Sequence, residues 1–158
     1  MDLIENIDAY CQKMRSEFMF FKNLSDEELR AFLRFCQKRE GNAGENLWSE
    51  GDSDNYAAFV ISGKLGIKKK TEFEGKHMIV GTFSRGTVVG ELCLLLDSKE
   101  RSVTAAILEP VDLVLLSNNN FEQLMSEYPM VGLKLLKHIF MVISKRLNRS
   151  TDRIAKIF

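Results

Sequence analysis

The sequence predicts an α+β fold, in which an antiparallel β-roll is flanked by N-terminal helices and a long C-terminal helix. Apolar residues recur at helical spacing before residue 40 and after residue 117, whereas short apolar or alternating runs punctuated by glycine lie between them. Short strands at this spacing favour a closed, jelly-roll-like architecture. At 158 residues the chain has room for one sizeable core. We therefore expect a single domain over 1–158, with helices at 1–40, the roll at 41–116 and helices at 117–158.

The N-terminal part is expected to be helical. Ser25 with Glu28 reads as a capping box that starts one helix, and Leu24 can pack on Leu29. Before it, apolar residues between 3 and 21 are spaced by threes and fours, as one face of a helix requires. These residues are Leu3, Ile7, Tyr10, Met14, Phe18 and Phe21.

The β-roll is expected to contain six strands. A turn at Glu74-Gly75 would join the third and fourth of them as a hairpin, since glycine can adopt the positive φ that tight turns demand. The strands are expected at Asn46–Ser49, Tyr56–Ser62, Lys64–Lys70, His77–Phe83, Ser102–Ile107 and Val111–Leu116.

The C-terminal helices follow the roll. Ser117 can cap a short helix, and Pro129 suits the first turn of the next, which would run nearly to Phe158. Apolar residues of this last helix alternate by threes and fours, which indicates a heptad seam and a partner helix, most simply from a second copy of the chain. The seam comprises Leu136, Phe140, Ile143, Leu147, Ser150, Ile154 and Ile157.

Composition limits the function classes. Lys and Arg together number 22, as do Asp and Glu, so no net field draws the chain to nucleic acid or an anionic membrane. The acidic N-terminus lacks a signal pattern and no apolar run reaches bilayer length, which favours a cytoplasmic protein without membrane contact. The cysteines are far apart and there are only two histidines, so we expect reduced thiols, no metal site and no catalytic residues. A phosphodiesterase or a metal-dependent cupin-like enzyme would need clustered metal ligands.

The segment 86–102 carries the strongest functional signal. Gly90 allows a ligand to approach the main chain, and a helical turn at Glu91–Leu94, which includes Cys93, would point free N–H groups at an anion. Arg101 offers a planar donor fork for phosphate oxygens and Ser102 adds a hydroxyl. The carboxylate of Glu91 would repel an anion, so it is better suited to accept a hydrogen bond from a sugar hydroxyl. One phosphate charge together with one sugar hydroxyl indicates a nucleotide or a molecule very similar to it.

These residues resemble the cyclic nucleotide-binding domain family, most closely its bacterial catabolite-activator branch. The pattern is Gly90-Glu91-Leu92 followed by Arg101-Ser102. Many family members place proline before the arginine, whereas this chain has Glu100, which the catabolite-activator branch tolerates. Further matches are Phe21-Lys22-Asn23-Leu24-Ser25, Glu50-Gly51-Asp52, Val60-Ile61-Ser62-Gly63, and Phe121 with Leu124.

The resemblance implies a regulatory ligand and no catalytic cofactor. It implies cAMP, with cGMP left open, whose ribose 2′-hydroxyl bonds Glu91 and whose cyclic phosphate bonds Arg101 and Ser102. It also implies a purine side lined by Ile67, Val80 and Phe83, and an adenine contact from Ser150 and Thr151, partly across a dimer.

The resemblance also suggests how binding is reported. Ligand would favour one arrangement of roll and last helix over another. The branch continues with a helix-turn-helix module that this sequence lacks, so we expect no direct DNA binding and an output to another effector protein. The alternative is a degenerate fold that binds no ligand and serves as a dimerisation scaffold.

Overall fold

The predicted α+β fold is confirmed by a computed structural model, which describes residues 2–71, 75–95 and 100–156. Short 3-10 turns at Met19–Asn23 and Glu91–Leu94 connect some of the regular elements. In chain order these elements are β1 (Asp2–Leu3), α1 (Ile7–Glu17), α2 (Asp26–Arg34), β2 (Gln37–Gly41), β3 (Asn46–Trp48), β4 (Tyr56–Lys70), β5 (His77–Ser84), β6 (Thr87–Val89), β7 (Thr104–Ser117), α3 (Asn118–Glu127) and α4 (Pro129–Ala155).

The sheet is antiparallel throughout the described residues. Its main path runs β1-β2-β7-β4-β5, while β3 also pairs with β7 and β6 with β4. The long central strands β4 and β7 pair from Tyr56 with Ser117 to Lys68 with Thr104, with shifts of register on either side of Gly63. Sequence analysis divided each of these strands in two. For β4 the reason is Gly63, which has φ +85° and sits where a Cβ would overlap the carbonyl of Pro110, so the strand bends there without ending.

Side chains of β4 alternate between two hydrophobic clusters, as the pleat of a strand requires. Ala57, Phe59 and Ile61 face the cluster that the helices cover. Ala58 and Val60 face the interior of the roll, together with Trp48 and residues of β7. One strand therefore forms a wall of both clusters.

The first helix is shorter than the sequence predicted. It begins at Ile7, where the side chain of Asn6 accepts a hydrogen bond from the Ala9 N–H, and it ends at Phe18, whose backbone is extended. Leu3, expected on the helix face, lies in β1 and pairs with Gln37. Phe18 is nevertheless buried, because the following 3-10 turn folds it against Phe59.

Other local predictions at the helix ends are confirmed. Ser25 and Glu28 form the capping box, with the Glu28 N–H donating to Ser25 Oγ at 3.1 Å and the Ser25 N–H donating to Glu28 Oε2 at 2.9 Å. Ser117 accepts from the Asn120 N–H, and Pro129 occupies the first turn of α4. Gly75 has φ +74°, whereas Glu74, the other residue of the predicted turn, lies outside the described residues.

The predicted seam of α4 divides between two environments. Leu136 and Ile143 are partly buried and pack on the cluster beneath the helices. Phe140 is 72% exposed, Leu147 65% and Ile154 59%, and Ser150 is also exposed. Ile157 lies outside the described residues. Across residues 2–71, 75–95 and 100–156, no helix has the length and apolar content needed to cross a membrane.

Candidate functional site

Residues 89–93 and 100–102, from the segment predicted to bind a ligand, line one wall of a cavity of about 430 Å³, which strands β4 and β5 and helix α4 complete. Two charged residues of the cavity, Glu91 and Arg101, are buried, with 6% and 8% of their surface exposed. Most of the predicted binding residues line this cavity, namely Ile67, Phe83, Gly90, Glu91, Leu92, Cys93, Arg101 and Ser102.

Gly90 permits the tight turn that shapes the floor of the cavity. Its φ is +70°, in the left-handed region that favours glycine, and the predicted helical turn follows it as the 3-10 turn Glu91–Leu94. A Cβ on Gly90 would lie 2.7 Å from Nη1 of Arg101 and 2.9 Å from the Trp48 ring. Glycine is therefore required here both for backbone conformation and for space.

Arg101 is fixed by aromatic rings and by the main chain. Its guanidinium carbon lies 3.8 Å from the centroid of the Trp48 ring and 4.9 Å from that of Tyr56. Nη2 donates a hydrogen bond of 2.6 Å to the Tyr56 carbonyl oxygen. Nε is buried and has no hydrogen-bond partner among the described residues. An uncompensated buried donor costs free energy, so this edge of the guanidinium is suited to an acceptor supplied by a ligand.

Glu91 is bonded to a residue of the last helix that the sequence analysis missed. Nη1 of Arg146 donates to Oε1 of Glu91 at 2.5 Å. Arg146 also donates to the Val88 carbonyl oxygen, and its guanidinium carbon lies 4.6 Å from the centroid of the Phe83 ring. The pair therefore ties α4 to the roll at the cavity.

A signal for Arg146 was present in the sequence. It follows Leu135, Ile139 and Val142 at helical spacing, on the stripe of α4 that faces the protein. A cation at the next position of a buried apolar face requires an anionic partner. That partner could not be identified without knowing where α4 crosses the roll.

Cys93 and Ser102 occupy different environments at the cavity. Cys93 is buried, and desolvation raises the pKa of its thiol to about 11 despite the opposing charge of Arg101. It therefore remains a neutral thiol at neutral pH. Ser102 is exposed, and its carbonyl oxygen accepts a hydrogen bond from Lys69 Nζ at 2.5 Å.

Three predicted binding residues do not line the cavity. Val80 is 48% exposed, because the register of β4 and β5 shifts between Ile67 and Lys68 and leaves Val80 without a partner in the ladder. Ser150 and Thr151 are exposed on α4, and the Thr151 hydroxyl donates to the Leu147 carbonyl oxygen of its own helix.

The cavity combines charged and apolar surface. In the part of the chain that the structure describes, no group of three or more His, Cys, Asp and Glu side chains could hold a metal ion. The exposed carboxylates Asp54 and Glu100 also line the cavity, where water screens their charges. The buried part offers the fork of Arg101, the carboxylate of Glu91 and the apolar surface of Ile67 and Phe83.

Comparison with known proteins identifies the family. Residues 38–128, more than half of the chain, match the family model described as "Cyclic nucleotide-binding domain". The chain belongs to the cyclic nucleotide-binding domain family. The matched residues include the whole predicted motif from Gly90 to Ser102.

Curated relatives of this cyclic nucleotide-binding domain include two bacterial proteins that are named for cAMP. The chain is 24% identical over 136 residues to the cAMP-activated global transcriptional regulator CRP of Salmonella typhimurium. The alignment covers 86% of this chain and 62% of the relative. It is 29% identical over 112 residues to the Cyclic AMP receptor protein of Thermus thermophilus, and this alignment covers 71% of this chain and 51% of the relative. The chain thus spans less than two thirds of the length of these relatives.

A solved structure shares the fold of this domain. A cyclic nucleotide-binding domain from Methylobacillus flagellatus superimposes with a TM-score of 0.82 at 23% identity, over 96% of this chain and 85% of the other. At that identity the likeness concerns the fold alone.

Proposed function

We propose that this domain is a cyclic nucleotide sensor whose ligand is cAMP. The observation that carries the proposal is the convergence of two buried charged side chains, Arg101 and Glu91, on one cavity, where Nε of Arg101 has no partner among the described residues. The relatives named for cAMP support this choice of ligand.

The cyclic phosphate would bind between Arg101 and the Glu91–Leu94 turn. Stacking on Trp48 and the bond to the Tyr56 carbonyl hold the guanidinium in place, so little side-chain entropy is lost when a phosphate oxygen reaches Nε. The Ser102 hydroxyl and the N–H groups at the start of the turn would supply further donors.

The ribose would bind Glu91. Oε1 of this carboxylate accepts from Arg146, and Oε2 has no hydrogen bond to another described residue. A 2′-hydroxyl that donates to Oε2 would leave the ion pair with Arg146 in place. Ligand, Glu91 and Arg146 would then form one chain of contacts from the sugar to α4.

The base would lie on the apolar side of the cavity, against Ile67 and Phe83. Val80, Ser150 and Thr151 remain proposed purine contacts that require β5 or α4 to move toward the ligand, or a second copy to supply the hydroxyls. Such a movement would make the position of α4 depend on ligand, which is the basis of a population shift.

The output would pass through α4 and a dimer. Phe140, Leu147 and Ile154 recur every seven residues and are all more than half exposed, as one side of a helix pair would be in an isolated chain. We propose that a second copy covers this strip, and that the ligand-dependent geometry of the pair is recognised by an effector protein.

Calorimetric titration with cAMP, cGMP and 5′-AMP tests the function. We expect cAMP to bind most tightly, and Arg101→Ala to weaken its binding by about 2–5 kcal/mol, as expected when one member of a buried charge pair is lost. Arg85→Ala is the matched control, since Arg85 is an exposed arginine outside the cavity lining.

The outcomes separate the sensor from the scaffold alternative. If wild type binds none of the three nucleotides, the domain acts as a scaffold and the sensor proposal is wrong. If Arg101→Ala binds as tightly as Arg85→Ala, the phosphate lies elsewhere. Thermal unfolding gives a second readout, because a ligand that binds only the folded state must raise Tm.

A further inference from the structure

A second cavity lies on the opposite flank of Arg146. It measures about 280 Å³ and separates the β5–β6 turn from α4. We call it the flank cavity. Its helix side presents four basic side chains and its strand side presents hydroxyl groups, and among the described residues no carboxylate lines it. The basic side chains are those of His138, Lys145, Arg146 and Arg149, and the hydroxyl groups are those of Thr82, Ser84 and Thr87.

Two of these cations have no counter-charge. Lys145 and Arg149 make no hydrogen bond or ion pair with any described residue. They are four residues apart on one helix, where like charges repel. The carboxylate beside the β5–β6 turn, Glu17, lies 3.9 Å from Arg85, which is not part of the lining. Glu17 therefore does not neutralise the cations that line the flank cavity.

The imbalance continues a general feature of α4. Between residues 129 and 156 the sequence has seven lysine and arginine residues and a single acidic residue, Asp152, although the whole chain is neutral. Two of the seven form ion pairs with other elements, namely Lys134 with Glu28 at 2.6 Å and Arg146 with Glu91. Lys145 and Arg149, which have no partner among the described residues, line the flank cavity.

We propose that the flank cavity is a second binding site, which takes a small phosphate-bearing anion. It shares Phe83 and Arg146 with the nucleotide cavity but not Arg101. Lys145 and Arg149 would neutralise the anion, and the hydroxyls of Ser84 and Thr82 would donate to its remaining oxygens. A volume of about 280 Å³ corresponds to about nine water molecules at about 30 Å³ each, so the cavity has room for a pyrophosphate group.

His138 supplies an internal reporter of the site. Its ring stacks on Phe20 at a centroid distance of 4.6 Å, and burial together with the charge of Lys145 lowers the pKa of the imidazole. An anion bound among Lys145, Arg146 and Arg149 would oppose that charge and so raise the pKa of His138.

Pyrophosphate binding, followed by calorimetry and by the NMR titration of His138, tests the proposal on the full chain. We expect binding to wild type and a rise of the His138 pKa on saturation. Lys145→Gln with Arg149→Gln should reduce the affinity by an order of magnitude or more, because both lost cations would donate charge-assisted hydrogen bonds to the anion. Arg101→Ala should bind pyrophosphate as wild type does.

A charge-matched control decides between a site and a basic surface. Lys137→Gln with Arg153→Gln removes two cations from the same helix outside the cavity lining. Equal loss of affinity in both double variants would show non-specific attraction and overturn the proposal. So would absence of binding to wild type, or a loss confined to Arg101→Ala. Far-UV circular dichroism verifies that each variant is folded.

Discussion

Nη1 of Arg146 lies 2.5 Å from Oε1 of Glu91, so a cation of the last helix is bonded to the buried carboxylate of the ligand cavity. The contact joins residues that are far apart in sequence. It gives the roll a direct electrostatic connection to α4, and under the proposed function the stability of the domain and its ligand affinity depend on the same pair.

Arg146→Met should lower the free energy of unfolding by about 1–3 kcal/mol, because it leaves the buried Glu91 carboxylate without its hydrogen-bonding cation. Methionine retains apolar contact with Phe83, which limits the loss of packing. Urea denaturation measures the change. Arg149→Met is the control, and Glu91→Gln combined with Arg146→Met should recover part of the loss. Equal stabilities of the two single variants would contradict the importance of the pair.

Glu91→Gln should reduce the preference for a ribose over a deoxyribose. If Glu91 accepts the 2′-hydroxyl, wild type should bind cAMP more tightly than 2′-deoxy-cAMP by about 1.5–3 kcal/mol, the range for hydrogen bonds to charged groups. The difference should shrink in Glu91→Gln and persist in Glu100→Gln, which changes an exposed carboxylate of the same cavity. Calorimetry measures all six affinities. Equal binding of both nucleotides by wild type would remove Glu91 from the sugar site.

Gly90→Ala should weaken cAMP binding more than its effect on backbone strain explains. Both Gly90 and Gly75 have a left-handed φ, +70° and +74°, where an L-residue costs about 1–2 kcal/mol. A Cβ at Gly90 would also crowd Arg101 and Trp48, whereas no described atom lies within 4 Å of one at Gly75. Gly75→Ala is therefore matched for strain and should retain affinity. Unchanged affinity in Gly90→Ala would show that Arg101 need not hold its observed position.

Leu147→Asp should convert a dimer into a monomer in analytical ultracentrifugation. The substitution places a charge in the exposed strip formed with Phe140 and Ile154. Asn148→Asp, an equally exposed neighbour outside the strip, should sediment as wild type does. A dimer that survives Leu147→Asp must use another surface.

Acidification should destabilise the domain through His138. Burial lowers the pKa of this imidazole below its ordinary 6.5, so the unfolded chain binds its proton more readily than the folded protein. The stabilisation is present above about pH 6.5 and is lost as the pH falls toward the folded-state pKa. Lys145, Arg146 and Arg149 from α4 face the same cavity and oppose protonation, while Phe20 on the other ring face is uncharged.

Thermal unfolding at pH 7.5 and 5.5 measures this effect. Wild type should lose more Tm than His138→Gln over that interval, and His77→Gln, which changes an exposed histidine, should follow wild type. Identical pH dependence in all three proteins would exclude a contribution from His138.

Sequence alone predicted the features that depend on neighbouring residues. The caps at Ser25 and Ser117, the first-turn proline of α4 and the turn after Gly90 each follow from local hydrogen-bonding or φ preferences. The grouping of Gly90, Glu91, Arg101 and Ser102 at one cavity could be predicted for the same reason, because these residues belong to one short continuous segment.

Features that depend on distant pairing were missed. Strand β2 has a polar sequence without alternation, Gln37-Lys38-Arg39-Glu40, and exists because β7 supplies its partners. The position of Val80 depends on a shift of register against β4, and the partner of Arg146 depends on where α4 crosses the roll. The spacing of apolar residues along the sequence does not indicate which distant residues pair.

Strand β4 exposes alternate side chains to the layer under the helices and to the interior of the roll. A change that loosens the packing of one layer therefore displaces residues of β4 whose sequence neighbours pack in the other layer. Damage to the aromatic packing around Phe59 therefore reaches Ile67 in the cavity wall through one continuous backbone, and mutations far from the cavity are able to alter its shape without touching it.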